Sequence, residues 1–152
     1  MLLFCLKVCY NTNTMGRVMA LDVGDVRIGI AVSDLMCIIA NPLETYTRKG
    51  NLDVDARYIA ELAKSREVTL FVSGLPLGLN GQENEQTAKT REFVNKLQEV
   101  CDIPVEYLDE RFTTLSAERV LIEGNVRREN RKKVIDKVAA TIILQNYLDR
   151  KR

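Results

Sequence analysis

RVMALDVGDVRIGIAVSD, residues 17–34, is the stretch whose reading decides the fold. Two apolar runs, residues 18–21 and 28–32, flank Asp22-Val23-Gly24-Asp25, and a glycine followed by an aspartate between such runs signals a tight turn between strands. A β-hairpin is therefore expected. Asp22 closes the first run, at the mouth of a buried strand, where a nucleic-acid hydrolase or an ATPase holds a metal ligand. An aspartate so placed also serves simply to accept hydrogen bonds from the amides of a turn. The hairpin by itself leaves both roles open.

Downstream of the hairpin, Asn41-Pro42 breaks the pattern, and residues 43–47 read as a third, short strand. Residues 53–65 carry Ala56, Ile59, Ala60 and Ala63 at helical spacing. Residues 68–72 form a continuous apolar run, as in a strand covered on both faces, and lead into a loop over 73–81 with three glycines, Gly74, Gly78 and Gly81. A helix is expected over 83–100, with Phe93, Val94, Leu97 and Val100 on its apolar face. Pro104 bars its continuation, and residues 105–108 make a fifth strand that delivers Asp109-Glu110-Arg111. Thr113 or Thr114 caps a further helix that turns Ala117, Val120 and Leu121 inward and stops at Gly124. The charged run after it has few apolar anchors and is expected to be mobile. A last helix over 133–149 carries Ala139, Ala140, Ile143 and Tyr147 along one face, and Asp136 falls on the same stripe.

The order βββαβαβαα is that of the ribonuclease H-like fold, an α/β architecture with a five-stranded mixed sheet and helices on both faces. Parallel strands present their C-terminal ends together, so Asp22, the glycine-rich loop and Asp109-Glu110 are expected along one edge.

At 152 residues and 46% hydrophobic composition, the chain suits one domain with a sizeable core. That domain is assigned to residues 15–152. Residues 1–14 are expected to be a loosely attached extension, with an N-terminal edge strand as the alternative. Lys7 interrupts the apolar start and no small-residue cleavage site follows, which argues against a signal peptide. No stretch approaches the roughly 20 apolar residues of a membrane span. Cys5, Cys9, Cys37 and Cys101 form no C-x-x-C pair and no zinc spacing, so they are expected to be reduced thiols, mostly buried, in a cytoplasmic protein.

Composition removes several chemistries outright, because the chain contains no histidine. Ser-His-Asp and Cys-His catalysis and His-ligated zinc are excluded, leaving carboxylates, Lys, Arg, Tyr, hydroxyls or a bound metal. The net charge of +1 predicts no polyanion partner, but its distribution is uneven. Residues 99–110 hold five acids and no base, and residues 127–137 hold six bases and two acids. An acidic pocket beside a basic arm suits an enzyme that holds divalent metal and a phosphate backbone together, and solvated helix ends are the alternative.

Three candidate carboxylates emerge: Asp22, Glu110 or its neighbour Asp109, and Asp136. Hydrolysis of a phosphodiester by two Mg²⁺ or Mn²⁺ ions needs such a cluster and no histidine. Asp136 is the sharpest signal, since a charge on an apolar helical stripe is costly unless paired or metal-bound. A salt bridge to Lys132, Lys133 or Lys137 would also account for it. Asp109 and Glu110 point to opposite faces if the strand continues, so only one can meet Asp22, and Glu110 is favoured. Arg27 and Arg111, with Lys132 and Lys133 of the basic arm, are candidate phosphate contacts, although structural ion pairs fit both arginines as well. The loop over 73–81 lacks a Walker pattern.

Four blocks in this order carry a family resemblance: Ala20-Leu21-Asp22-Val23-Gly24 with residues 27–34, then Gly74-Leu75-Pro76-Leu77 with Asn80-Gly81, then Asp109-Glu110-Arg111-Phe112-Thr113-Thr114 with Ala117-Glu118, and Lys133 with Asp136 and Ala139-Ala140. From about Met15 to Asp149 the chain closely resembles the YqgF family of pre-16S ribosomal RNA nucleases, also described as Holliday-junction resolvase-like. The resemblance implies a ribonuclease H-like fold, metal-dependent nuclease chemistry with Mg²⁺ or Mn²⁺, a cytoplasmic location and a role in maturing the 5′ end of 16S ribosomal RNA. It also implies that Asp22, Glu110 and Asp136 are the functional acids. The expected partner is structured RNA or branched DNA, not a membrane, and the sequence leaves monomer and homodimer equally open. Resolution of branched DNA and non-catalytic nucleic-acid binding are the alternatives. The actin and sugar-kinase ATPases share the core fold but use two such domains, and this chain has room for one.

Overall fold

A computed structural model describes residues 16–109 and 128–151, with residues 128–137 by backbone alone. The hairpin forms as expected from β1 (Arg17–Val23) and β2 (Arg27–Ser33), antiparallel, with Asp22 opposite Gly29. β3 (Ala40–Thr47) pairs antiparallel with β2, and α1 (Leu52–Ser65) then leads to β4 (Val68–Leu75), which lies parallel to β1. α2 (Glu85–Val100) connects to β5 (Val105–Asp109), parallel to β4, and α3 (Arg128–Arg150) ends the chain. The sheet order is β3-β2-β1-β4-β5, the five-stranded mixed sheet of the ribonuclease H-like fold. The helix expected after Thr113 lies outside the described residues.

Alternation along β1 feeds two cores. Met19 and Leu21 join Ile28, Ile30 and Phe71 beneath Ile59 and Ala63 of α1 and Phe93 and Leu97 of α2. Val18 and Ala20 join Ala31, Val72 and Leu108 beneath Ala140, Ile143, Leu144 and Leu148 of α3. Among the described residues no helix is long and apolar enough to cross a membrane.

Three boundaries differ from expectation for identifiable reasons. β3 starts at Ala40, before Asn41-Pro42, because it is an edge strand and Pro42 sits where the β2–β3 register shifts, both of them places where a sheet tolerates proline. β4 continues through Gly74 to Leu75. α3 begins at Arg128, so the charged segment expected to be mobile forms the first turns of the helix.

The direction of α3 follows from contacts near its end. The Gln145 side chain accepts from Ala40 N at 2.9 Å and donates to Ile38 O at 3.1 Å, and the Tyr147 hydroxyl donates to Glu106. The C-terminal end of α3 therefore sits over the starts of β3, β5 and β1, and the helix runs antiparallel to β1, with its N-terminal half towards the carboxyl ends of β1, β4 and β5.

A buried carboxylate ties the other face together. Asp55, in the first turn of α1, is 0% exposed and accepts from the Tyr46 hydroxyl (2.8 Å), the Lys49 amide (2.9 Å) and Arg48 Nε (3.1 Å). Arg48 also donates from Nη1 to Gly24 O at 2.9 Å, and its guanidinium lies 5.4 Å from the centre of the Phe93 ring.

Two outcomes test this packing. Ile143→Ala is expected to destabilise the fold by about 2–5 kcal/mol in denaturant titrations, as for other fully buried aliphatic truncations. Burial, reinforced by the hydrogen bond to Asp55, raises the Tyr46 phenol from 10.0 to about 12. The folded state thus holds that proton more tightly than the unfolded chain, and its contribution is intact below pH 10 and lost between 10 and about 12. Unfolding free energy measured against pH should decline across that window, and Tyr46→Phe should make the decline shallower.

Candidate active site at the carboxyl edge of the sheet

Asp22 is half-buried, one residue from the end of β1. It alternates with Val18 and Ala20, so it belongs to the sheet face that α3 covers. Its cross-strand partner on β2 is Gly29. On the other side, Leu21 pairs with Ser73, which brings Gly74 alongside Asp22, and Gly74 alternates with Val72 onto the same face. Both lateral neighbours of Asp22 on this face therefore lack a side chain. Glycine inside a strand often marks the close approach of a ligand or another backbone. Arg27 opens β2, two residues before Gly29, and so lies on the same face, diagonal to Asp22. Such diagonal neighbours are roughly 7–8 Å apart at the backbone, within reach of a long side chain.

The candidate acids separate by parity. Leu108 packs on the α3 side, which puts Asp109 on the opposite face, across from Leu75 and away from Asp22. Glu110 and Arg111 lie outside the described residues. Asp136, Lys132 and Lys133 fall on α3 where the backbone alone is described. Leu148 and Val18 share one cluster. Counting back from there, the helix covers about 18 Å to position 136 while β1 covers about 13 Å to Asp22, so position 136 is carried as far as the carboxyl edge. It stands one helical turn before Ala140 and two before Ile143.

Among the described residues no group of three His, Cys, Asp or Glu side chains could hold a metal. Asp22 is the one member of the expected trio whose side chain is described. Its donor chemistry fits a hard divalent cation, since Mg²⁺ and Mn²⁺ prefer carboxylate oxygen, and the Gly29 and Gly74 positions beside it are themselves buried.

Among the described residues, the acids over 99–109 do not gather into a pocket. Glu99 and Asp102 precede β5 at the opposite end of the sheet, Glu99 pairs with Lys96 at 3.8 Å, and Glu106 accepts from Tyr147. Alternation and chain direction disperse charges that are contiguous in sequence. The thiols also differ from expectation: Cys37 and Cys101 are free but half-buried. Burial pushes the Cys101 thiol above its ordinary range.

The glycine-rich loop is fastened at both ends. Gly78 N donates to Gln82 O (2.9 Å), Gly81 N donates to Gly78 O (2.8 Å) with Gly81 at φ 81°, and the Thr87 hydroxyl of α2 donates to Pro76 O. Leu79 is left exposed at the tip.

Sequence reasoning missed the residues that grip the turn beside Asp22. Lys89 of α2 pairs with Asp25 at 3.5 Å, and Arg48 and Asp55 hold Gly24. A signal for Asp55 was present: it lies three residues after Leu52 and four before Ile59, on the apolar stripe of α1, the same anomaly that singled out Asp136.

Residues 16–150 match the RuvX family, described as Holliday junction resolvase. The chain is 52% identical over 134 residues to a protein of Caldanaerobacter subterraneus named "Putative pre-16S rRNA nuclease", covering 88% of this chain and 96% of that one. It is 48% identical over 140 residues to a protein of the same name from Fusobacterium nucleatum, covering 91% and 100%. Among solved structures it is similar to T. thermophilus RuvC in complex with Holliday junction substrate, with a TM-score of 0.56 at 13% identity over 90% of this chain and 96% of that one. It is also similar to the large terminase nuclease from thermophilic phage G20c, with a TM-score of 0.51 at 10% identity over 87% and 81%. At such identities the structural likeness bears on the fold alone. The family match and the extent of identity give the conclusion to which the four sequence blocks pointed: the chain belongs to the RuvX (YqgF) family.

Proposed function

We propose that this protein is a metal-dependent endonuclease that processes the 5′ end of pre-16S ribosomal RNA by phosphodiester hydrolysis in the cytoplasm, with residues 15–152 as its single catalytic domain. The observation that carries this reading is the position of Asp22, at the carboxyl edge, flanked by Gly29 and Gly74, on the face towards which the N-terminal half of α3 runs. The names borne by its relatives favour RNA as the substrate.

In this reading Asp22, Glu110 and Asp136 would hold two Mg²⁺ or Mn²⁺ ions, whose chemistry there would be to activate a water and stabilise the leaving oxygen. The rest is the chain's own work. Arg27, on the same face, offsets phosphate charge, and Arg111, Lys132 and Lys133 extend that contact. With no histidine in the chain, proton transfer falls to the groups that remain, carboxylates, Lys, Tyr, hydroxyls or water.

The family description favours one second reading, cleavage of branched DNA. A resolvase that cuts two strands needs a symmetric pair of sites, hence a dimer, whereas RNA trimming is within reach of a monomer.

Purified protein incubated with precursor 16S RNA and Mg²⁺ or Mn²⁺ should cleave it, and Asp22→Asn should lower the rate by on the order of 10²–10³, the effect of losing several kcal/mol of metal-based stabilisation. Equal cleavage by the two proteins would remove Asp22 from the site. A four-way DNA junction cut in preference to the RNA, by a protein that is dimeric in light scattering, would favour the second reading. If calorimetry detects no Mn²⁺ binding that Asp22→Asn and Asp136→Asn abolish, the protein is a binding factor and not an enzyme.

A further inference from the structure

The turn that follows Asp22 is held from behind by groups that take no part in the proposed chemistry. Residues 24–27 close the β1–β2 hairpin through Gly24 N donating to Arg27 O at 2.9 Å, and a Cβ at Gly24 would stand 2.7 Å from that same oxygen. A two-stranded hairpin end has little stability of its own. Here it receives two bonds from one residue of β3's extension: Arg48 N donates to Val26 O at 2.8 Å, and Arg48 Nη1 donates to Gly24 O at 2.9 Å. Nε of the same guanidinium donates to Asp55 Oδ2 at 3.1 Å, and its carbon lies 5.4 Å from the Phe93 ring centre.

We propose that Arg48, locked by buried Asp55, is a positioning residue that clamps the turn over residues 24–27 and so fixes the aim of the Asp22 carboxylate. The inference rests on the nuclease reading for its catalytic consequence. Its geometric part does not. Asp55 and Arg48 lie on the α1–α2 side of the sheet and Asp22 on the α3 side, so the clamp touches neither metal nor RNA in that reading.

Physical chemistry gives the arrangement its reason. A fully buried carboxylate is a poor device for stability, because well-packed apolar groups in the same space usually do as well or better. Its distinctive use is geometric. With Asp55 Oδ1 held by Tyr46 and Lys49 N, Oδ2 takes Arg48 Nε in one orientation, and the planar fork then presents a second N–H to Gly24 O at a fixed angle. Lysine, a single ammonium on a flexible stem, retains the charge opposite Asp55 but not the fork. Gly24 is two residues from Asp22, so loosening its carbonyl is felt at the ligand. The last cross-strand pair before the turn is Val23 with Ile28.

Arg48→Lys tests the clamp against Ile59→Val, a control that lightens the same core cluster without touching the turn. Thermal unfolding first establishes that both variants fold. Amide hydrogen exchange over residues 22–27, followed by NMR without metal, should then be at least about tenfold faster in Arg48→Lys than in wild type or the control, a loss of protection typical of local opening. Calorimetry with Mn²⁺ should give about 10–100-fold weaker binding, the usual effect of losing a group that orients a ligand. The kcat on precursor RNA should fall in parallel, and KM should stay within about twofold, as expected when substrate contacts are intact. Exchange, Mn²⁺ affinity and kcat that match those of Ile59→Val would overturn the clamp. If wild type neither binds Mn²⁺ nor cleaves RNA, the nuclease reading falls. The exchange rates then decide the clamp by themselves: unchanged protection in Arg48→Lys overturns it, and faster exchange supports it.

Discussion

The organisation of this molecule depends on β1 being apolar on both faces. A strand that alternates Met19 and Leu21 into one core with Val18 and Ala20 into the other has nowhere along its length for a charge. Any polar group it carries must sit at an end, where its face runs out of covering side chains. Asp22 occupies that place. The mixed sheet then follows: β2 returns antiparallel through the short turn, and β4 comes alongside in parallel after a helical crossover. The carboxyl ends of β1, β4 and β5 share an edge because parallel pairing leaves no alternative.

Charge is handled differently on the two sides of that sheet. On the α1–α2 side one acid, Asp55, is fully enclosed and its oxygens are matched to donors from three neighbouring residues. On the α3 side polar groups stay at the edge, and the space beside Asp22 is bounded by glycines. The first arrangement spends interaction energy on a single conformation, and the second keeps the Asp22 carboxylate half-buried where the strand ends. Lys89 and Arg48 reach the turn between Asp22 and β2 from α2 and from the end of β3, so two elements far from the edge in sequence determine its shape.

Much of this was legible in the residues. The hairpin, the βα alternation and the faces of the helices are written in apolar periodicity, which packing enforces throughout a core. What periodicity does not encode was misplaced. β3 begins earlier than its pattern because Asn41-Pro42 is admissible in an edge strand. α3 begins earlier than its apolar stripe because a charged helical turn can grow from a stretch already packed further on. The acidic run over 99–110 was an inference from adjacency in sequence, and adjacency is not proximity in an alternating strand. At the site, Asp22 was legible as an acid that ends an apolar run. The Asp55–Arg48 pair was not recognised, although Asp55 breaks the apolar stripe of α1 as Asp136 breaks that of α3, because its partners come from a separate strand whose proximity only the fold establishes.

The antiparallel run of α3 over β1 has a consequence for how damage spreads. The helix is moored by its far end: Gln145 on the backbone at Ile38 and Ala40, Tyr147 on Glu106, and Leu148 in the core. Position 136 lies at the other end of the same rigid rod. A helix turns as one body, so a small rotation at Gln145 or Tyr147 is passed through Ile143 and Ala140 towards position 136. The last dozen residues of the chain, remote from Asp22, thereby act as the foundation for whatever the front of the helix brings to the carboxyl edge.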